Sequence, residues 1–135
     1  MTNFEKLLDI TFPVVERLME EYGEFYPIAT AIKLDGDVVP VATFYGEEHP
    51  TAADLLEKLK DAFIAKKEDY RSLVICYNGN MIHPENRKKI DVIVFIAEDN
   101  DDKEYYHFYY PYKIHGNNIT FDEPWKSEKL AEIFK

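Results

Sequence analysis

The sequence predicts an α+β fold: a mostly antiparallel sheet of five or six strands with helices packed on one face, in the order α-ββ-α-βββ-(β)-α. Three observations carry this. Two stretches repeat apolar residues at helical spacing, and a β-rich pair of runs around Asp35-Gly36-Asp37 separates them. Three further β-rich runs then follow one another with no helical stripe between them. No alternating β-α-β pattern dominates, so a parallel sheet is not expected.

The first helix spans roughly Asn3 to Tyr22, with Phe4, Leu7, Leu8, Phe12, Val15, Leu18, Met19 and Tyr22 along one stripe. Thr2 with Glu5 makes a capping box and Gly23 a C-terminal stop. Pro13 lacks a backbone donor and is expected to kink the helix or split it near Phe12. A hairpin follows, from Phe25 to Leu34 and from Val38 to Tyr45, with Asp-Gly tolerating the positive φ of a tight turn. Pro27 and Pro40 suit strand ends or an edge. The second helix runs roughly from Thr51 to Lys67, where Thr51 and Asp54 again resemble a capping box and Ala52, Leu55, Leu56, Leu59, Ala62 and Phe63 form the inner stripe. Strands are expected at Ser72–Tyr77, Ile90–Ala97 and from Glu104 or Tyr105 to Ile114, with a loop at Asn78–Lys89 and an acidic turn at Glu98–Lys103. Ile119–Phe121 extends the sheet. A short helix from Ser127 to Phe134 closes the chain, docking Leu130, Ile133 and Phe134. The element order is similar to that of roadblock and profilin-like folds.

The 135 residues fit one domain, 1–135, long enough to bury a core without staples. With 15% aromatic residues the chain is expected to fold. Cys76, the lone cysteine, lies in the apolar run Leu73–Tyr77, where a buried thiol is the natural reading. No leader-like opening and no apolar run of membrane length is present, so a cytoplasmic location is expected.

Twenty-six acids stand against 16 Lys and Arg, a formal charge of -10. Such a surface repels phosphate backbones and anionic lipids, which argues against nucleic acid and membranes and for basic proteins as partners; the same balance also serves solubility. Catalytic and metal chemistry finds no motif. His49, His83, His107 and His115 show no ligand spacing, and no nucleophile elbow, phosphate loop or dinucleotide loop occurs. The expectation is a non-enzyme without cofactor or metal.

Two segments stand out. Tyr105-Tyr106-His107-Phe108-Tyr109-Tyr110-Pro111-Tyr112 puts large rings on both faces of one strand. One set, Tyr105/His107/Tyr109 or Tyr106/Phe108/Tyr110, must enter the core. The other is covered by the terminal segment around Trp125 or serves binding. The turn holding Glu98, Asp99, Asp101, Asp102 and Glu104 either keeps a sheet edge soluble or imitates a run of phosphates. If it binds, the contacts are Glu98, Asp99, Asp101, Asp102 and Tyr105, with Tyr106 and Tyr109 as alternates.

Gly23-Glu24-Phe25-Tyr26-Pro27 leading into Asp35-Gly36, then Lys89-Ile90-Asp91-Val92-Ile93-Val94, then Tyr110-Pro111-Tyr112-Lys113 form a recurring pattern. In it the chain resembles a group of small, mostly uncharacterised bacterial proteins over roughly residues 23 to 114. It is also generally similar to immunity proteins of contact-dependent and polymorphic toxin systems. That resemblance implies a protein that masks a cognate basic toxin domain, a nuclease above all. The alternatives are a regulatory or scaffolding module acting as a homodimer through sheet edges or the aromatic face, and a small-ligand binder with a pocket under the first helix.

Overall fold

Long apolar runs decide the architecture. In the computed structural model, which describes residues 1–41 and 51–135, seven strands form one antiparallel sheet. They are β1 (Ile28–Lys33), β2 (Val38–Val41), β3 (Tyr70–Ile82), β4 (Lys89–Asp99), β5 (Glu104–His115), β6 (Asn118–Phe121) and β7 (Trp125–Glu128). The order across the sheet is β2-β1-β3-β4-β5-β6, with β7 also paired to β5. Two helices, α1 (Asn3–Tyr22) and α2 (Ala52–Ala65), complete the fold, and a short 3-10 turn at Lys67–Asp69 follows α2.

The α+β class and the order α-ββ-α-βββ hold, but the helices do not share one face. α1 sends Leu7, Val15 and Met19 against Ile32, Val74, Cys76, Ile93, Phe95, Ala97 and Tyr112. On the other side Leu59 and Phe63 of α2 meet Ala29, Ala31, Leu73, Ile75 and Ile96. β4 is buried without a break from Val92 to Asp99. An apolar run with no polar alternation is what two-sided burial requires.

The ends of α1 form as their residues dictate. Thr2 and Glu5 complete the reciprocal capping box, and Gly23 stops the helix at φ 73. Pro13 does not split it: one helix runs through, with Pro13 on the exposed side. Buried Thr11 ties α1 to the sheet, its hydroxyl 2.7 Å from the Leu7 carbonyl and 2.8 Å from the Thr30 hydroxyl. The Asp35-Gly36-Asp37 turn closes as expected, with Gly36 at φ 96 and the Asp37 amide donating to the Asp35 carboxylate at 2.9 Å. The expected continuation of the second hairpin arm beyond Val41 lies outside the described residues. α2 starts at the Thr51 cap, whose hydroxyl accepts from the Asp54 amide at 3.0 Å. β3 and β4 are longer than expected and absorb much of the predicted loop, leaving only residues 83–88 between them.

The expected C-terminal helix is absent. Residues from Trp125 to Glu128 form β7 on the outer edge of β5, and the segment beyond has no regular helix or strand. Eight residues are too few to hold a helix by propensity, whereas the open edge of β5 offers a ladder of unpaired backbone groups. Leu130 is exposed, while Ile133 is fully buried among the α2-side residues.

Glu98 fixes this ending. Its side chain shares the β4 face of Ile96 and is wholly buried. Its carboxylate takes the Lys129 ammonium at 2.6 Å and the amides of Glu132, Ile133 and Phe134 at 2.9, 3.0 and 3.1 Å. A charge taken out of water is tolerated only when so fully satisfied. Glu98→Ala is therefore expected to lower stability by about 3–5 kcal/mol in urea unfolding, and a loss below about 1 kcal/mol contradicts this role.

Candidate protein-binding groove

The pleat of β5 sorts its rings. Tyr106, Phe108, Tyr110 and Tyr112 face α1, and Tyr105, His107 and Tyr109 face the α2 side. The residues expected to act together therefore divide between two sides of one strand.

On the α2 side the rings are used internally. Tyr109 stacks on Trp125, with centroids 4.9 Å apart and planes 19° from parallel, and His83 meets the same indole at 4.9 Å. The Lys129 amide donates to the Tyr105 carbonyl at 3.1 Å. Lys60 pairs with Glu132 at 3.0 Å. The terminal segment thus covers this face, one of the two readings open from the sequence. Tyr105 and Tyr109 are half-buried beneath it.

The acidic turn is likewise part structure and part surface. Glu98 is inside and has no path to a partner while the terminal segment stays seated. Asp99 is almost fully buried. One oxygen accepts from Asn3 Nδ2 at 2.8 Å, the other from the Asp102 amide at 2.9 Å. Asp101 accepts from Asn3 Nδ2 at 3.0 Å and from Arg71 Nε at 3.1 Å. The turn therefore lies against the start of α1, where the helix's unsatisfied amides favour negative charge. Lys103 adopts a left-handed φ of 56 to complete the four-residue loop. Asp102 and Glu104 remain exposed.

Between these acids and α1 lies a groove of about 300 Å³, lined by Phe4, Glu5, Asp102, Glu104, Tyr106 and Lys126 among others. Its aromatic floor is locked edge-to-face: Phe4 stands 6.2 Å from Tyr106 and 5.7 Å from Phe108. Lys126 enters from β7, where it pairs across from Phe108, and its ammonium sits 4.5 Å from the centre of the Tyr106 ring. Glu128, opposite Tyr106, adds a fourth exposed acid. Desolvation, and after it the neighbouring Glu104 carboxylate, raises the Tyr106 phenol above its ordinary range. Glu5, Glu128, Phe4, Phe108 and Lys126 were not among the residues expected to bind. The α1 start brings Phe4 and Glu5 to the turn and the β7 pairing brings Lys126 and Glu128, neither contact being local in sequence, while Phe108 lies on β5 itself, two residues beyond Tyr106.

The other chemistries can be placed as well. Cys76 is fully buried, and burial pushes its thiol well above the ordinary value. Among the described residues, no group of three His, Cys, Asp or Glu is arranged to hold a metal ion, and no helix is long and apolar enough to cross a membrane. His107 is held below its ordinary value, first by burial and next by the Lys129 charge; Glu132, Lys60 and Glu98 also face it. In the folded chain its imidazole takes a proton less readily than in the unfolded chain, so stability is greatest above the ordinary value of 6.5 and falls as pH drops below it. Urea unfolding at pH 7.5 and 5.5 is expected to show this loss in the parent chain and a smaller one in His107→Gln; equal losses contradict it.

Comparisons with family models, with curated proteins and with solved structures find no match to this chain.

Proposed function

We propose that this chain is an immunity-type inhibitor: a cytoplasmic binding protein, without chemistry of its own, that neutralises a cognate basic toxin domain by covering its cleft. The observation that carries the reading is the placement of four exposed carboxylates, Glu5, Asp102, Glu104 and Glu128, around the groove floored by Phe4, Tyr106 and Phe108. Interfaces of this kind combine aromatic anchors with charges that steer the encounter. The formal charge of -10 extends the attraction beyond the groove. A nuclease fits the partner best, because a cleft built for a polyanion is basic. Asp99 and Asp101 serve by holding the turn in place, and Asp102 and Glu104 supply the contact.

The test is to recover the tagged chain from its native host in low salt and identify what accompanies it near one-to-one by mass spectrometry. A basic protein, toxic alone and harmless when co-expressed with the chain, is the expected result. Its association rate is expected to fall at least about tenfold between low and physiological salt. The double change Asp102→Asn with Glu104→Gln is expected to slow association while leaving stability near that of the parent. A salt-indifferent on-rate, or recovery of the chain alone or as a self-dimer from cells that express the candidate toxin, overturns the reading.

A further inference from the structure

We infer that the groove is a receptor for one arginine side chain of the partner, and that Lys126 is its internal placeholder. This rests on the reading that the groove is the contact site, and it names what the groove takes. The site already holds a cation: the Lys126 ammonium lies on the open face of Tyr106 at 4.5 Å. Among the described residues, that ammonium forms no ion pair with the surrounding acids. Among the described residues Glu104, Asp102 and Glu128 also form no ion pair, and Glu5 is engaged in the α1 cap, accepting from the Thr2 amide at 3.3 Å.

The aromatic face is thus occupied while no cation among the described residues pairs with the carboxylates around it, Glu104 meeting only the neutral hydroxyl of Tyr106. A lysine tethered to β7 satisfies the ring alone. A guanidinium is planar, stacks on a ring and still presents N–H donors at its rim in the geometry that carboxylates accept. An arginine arriving from outside can therefore satisfy the ring and the acids together, and it displaces Lys126 into water. The groove's volume of about 300 Å³ lies at the small end of ligand-sized clefts and suits one side chain, not a folded peptide. Phe4 and Phe108 hold the Tyr106 ring upright, so the platform exists before the partner arrives.

The test uses the full chain with capped hexa-arginine and hexa-lysine peptides as probes, followed by calorimetry and by NMR of the aromatic rings. Saturable shifts are expected at Phe4, Tyr106 and Phe108, with hexa-arginine the tighter probe. Lys126→Ala, an exposed change that leaves the core untouched, is expected to tighten hexa-arginine about threefold or more by vacating the ring. Tyr106→Leu is expected to weaken it about tenfold, and Tyr106→Phe to keep it within about twofold, because the ring face and not the hydroxyl is the platform. No saturable binding, or parent-like affinity in both Lys126→Ala and Tyr106→Leu, overturns the inference. If a toxin partner is captured but its affinity ignores both changes, the inhibitor reading stands and the arginine receptor falls. If hexa-arginine behaves as expected but no toxin is found, the receptor stands and the inhibitor reading falls.

Discussion

A carboxylate inside the sheet organises the second half of this protein. Glu98 would be costly to bury alone, and it draws to itself groups that replace the lost water: the Lys129 ammonium and three successive amides of the terminal segment. That demand brings Ile133 onto the α2-side core, follows on from the β7 pairing with β5, and sets the terminal segment over His107 and Tyr109. A buried pair of this kind adds little over a well-packed apolar pair. Its effect is to specify one seating for a tail that has no helix or strand of its own.

Once that side is closed, the two faces of β5 have different work. Tyr105 and Tyr109 are spent on packing under the tail. Tyr106 and Phe108 face α1 at the open end of the helix, beside a turn whose inner acids are tied by Asn3 and Arg71. The turn is tied down through Asp99 and Asp101, and it projects charge through the exposed Asp102 and Glu104. Preorganised acids of this kind cost a partner little to meet, since the ordering is complete before contact.

Local chemistry was legible in the sequence and distant chemistry was not. The caps of α1, the Asp35-Gly36 turn and the Thr51 cap all arise from residues within a few positions of one another; the first two form as read, and of the box expected at Thr51 and Asp54 the Thr51 half forms. The helix predicted over Ser127–Phe134 failed because Leu130, Ile133 and Phe134 have helical spacing, while the edge of β5 and the carboxylate of Glu98 decide the outcome from some 20 to 35 residues away. Glu98 itself was read as surface because its neighbours are acids. Its place in the pleat, two residues after Ile96 on a strand buried on both sides, was the signal that it faces inward. The unbroken apolar run of β4 was likewise the mark of a sheet covered on both faces. Of the groove, only the turn and Tyr106 were legible; Phe4, Glu5, Lys126 and Glu128 reach it through tertiary pairing.

The most direct test of this account is amide hydrogen exchange of the unmodified chain, resolved at Glu132, Ile133 and Phe134. If Glu98 seats the tail as part of the core, these three amides exchange slowly, with protection approaching that of Ile93 and Phe95 in β4. If they exchange at the rate of a free peptide while β4 stays protected, the tail is not seated, and the division of labour between the two faces of β5 falls with it.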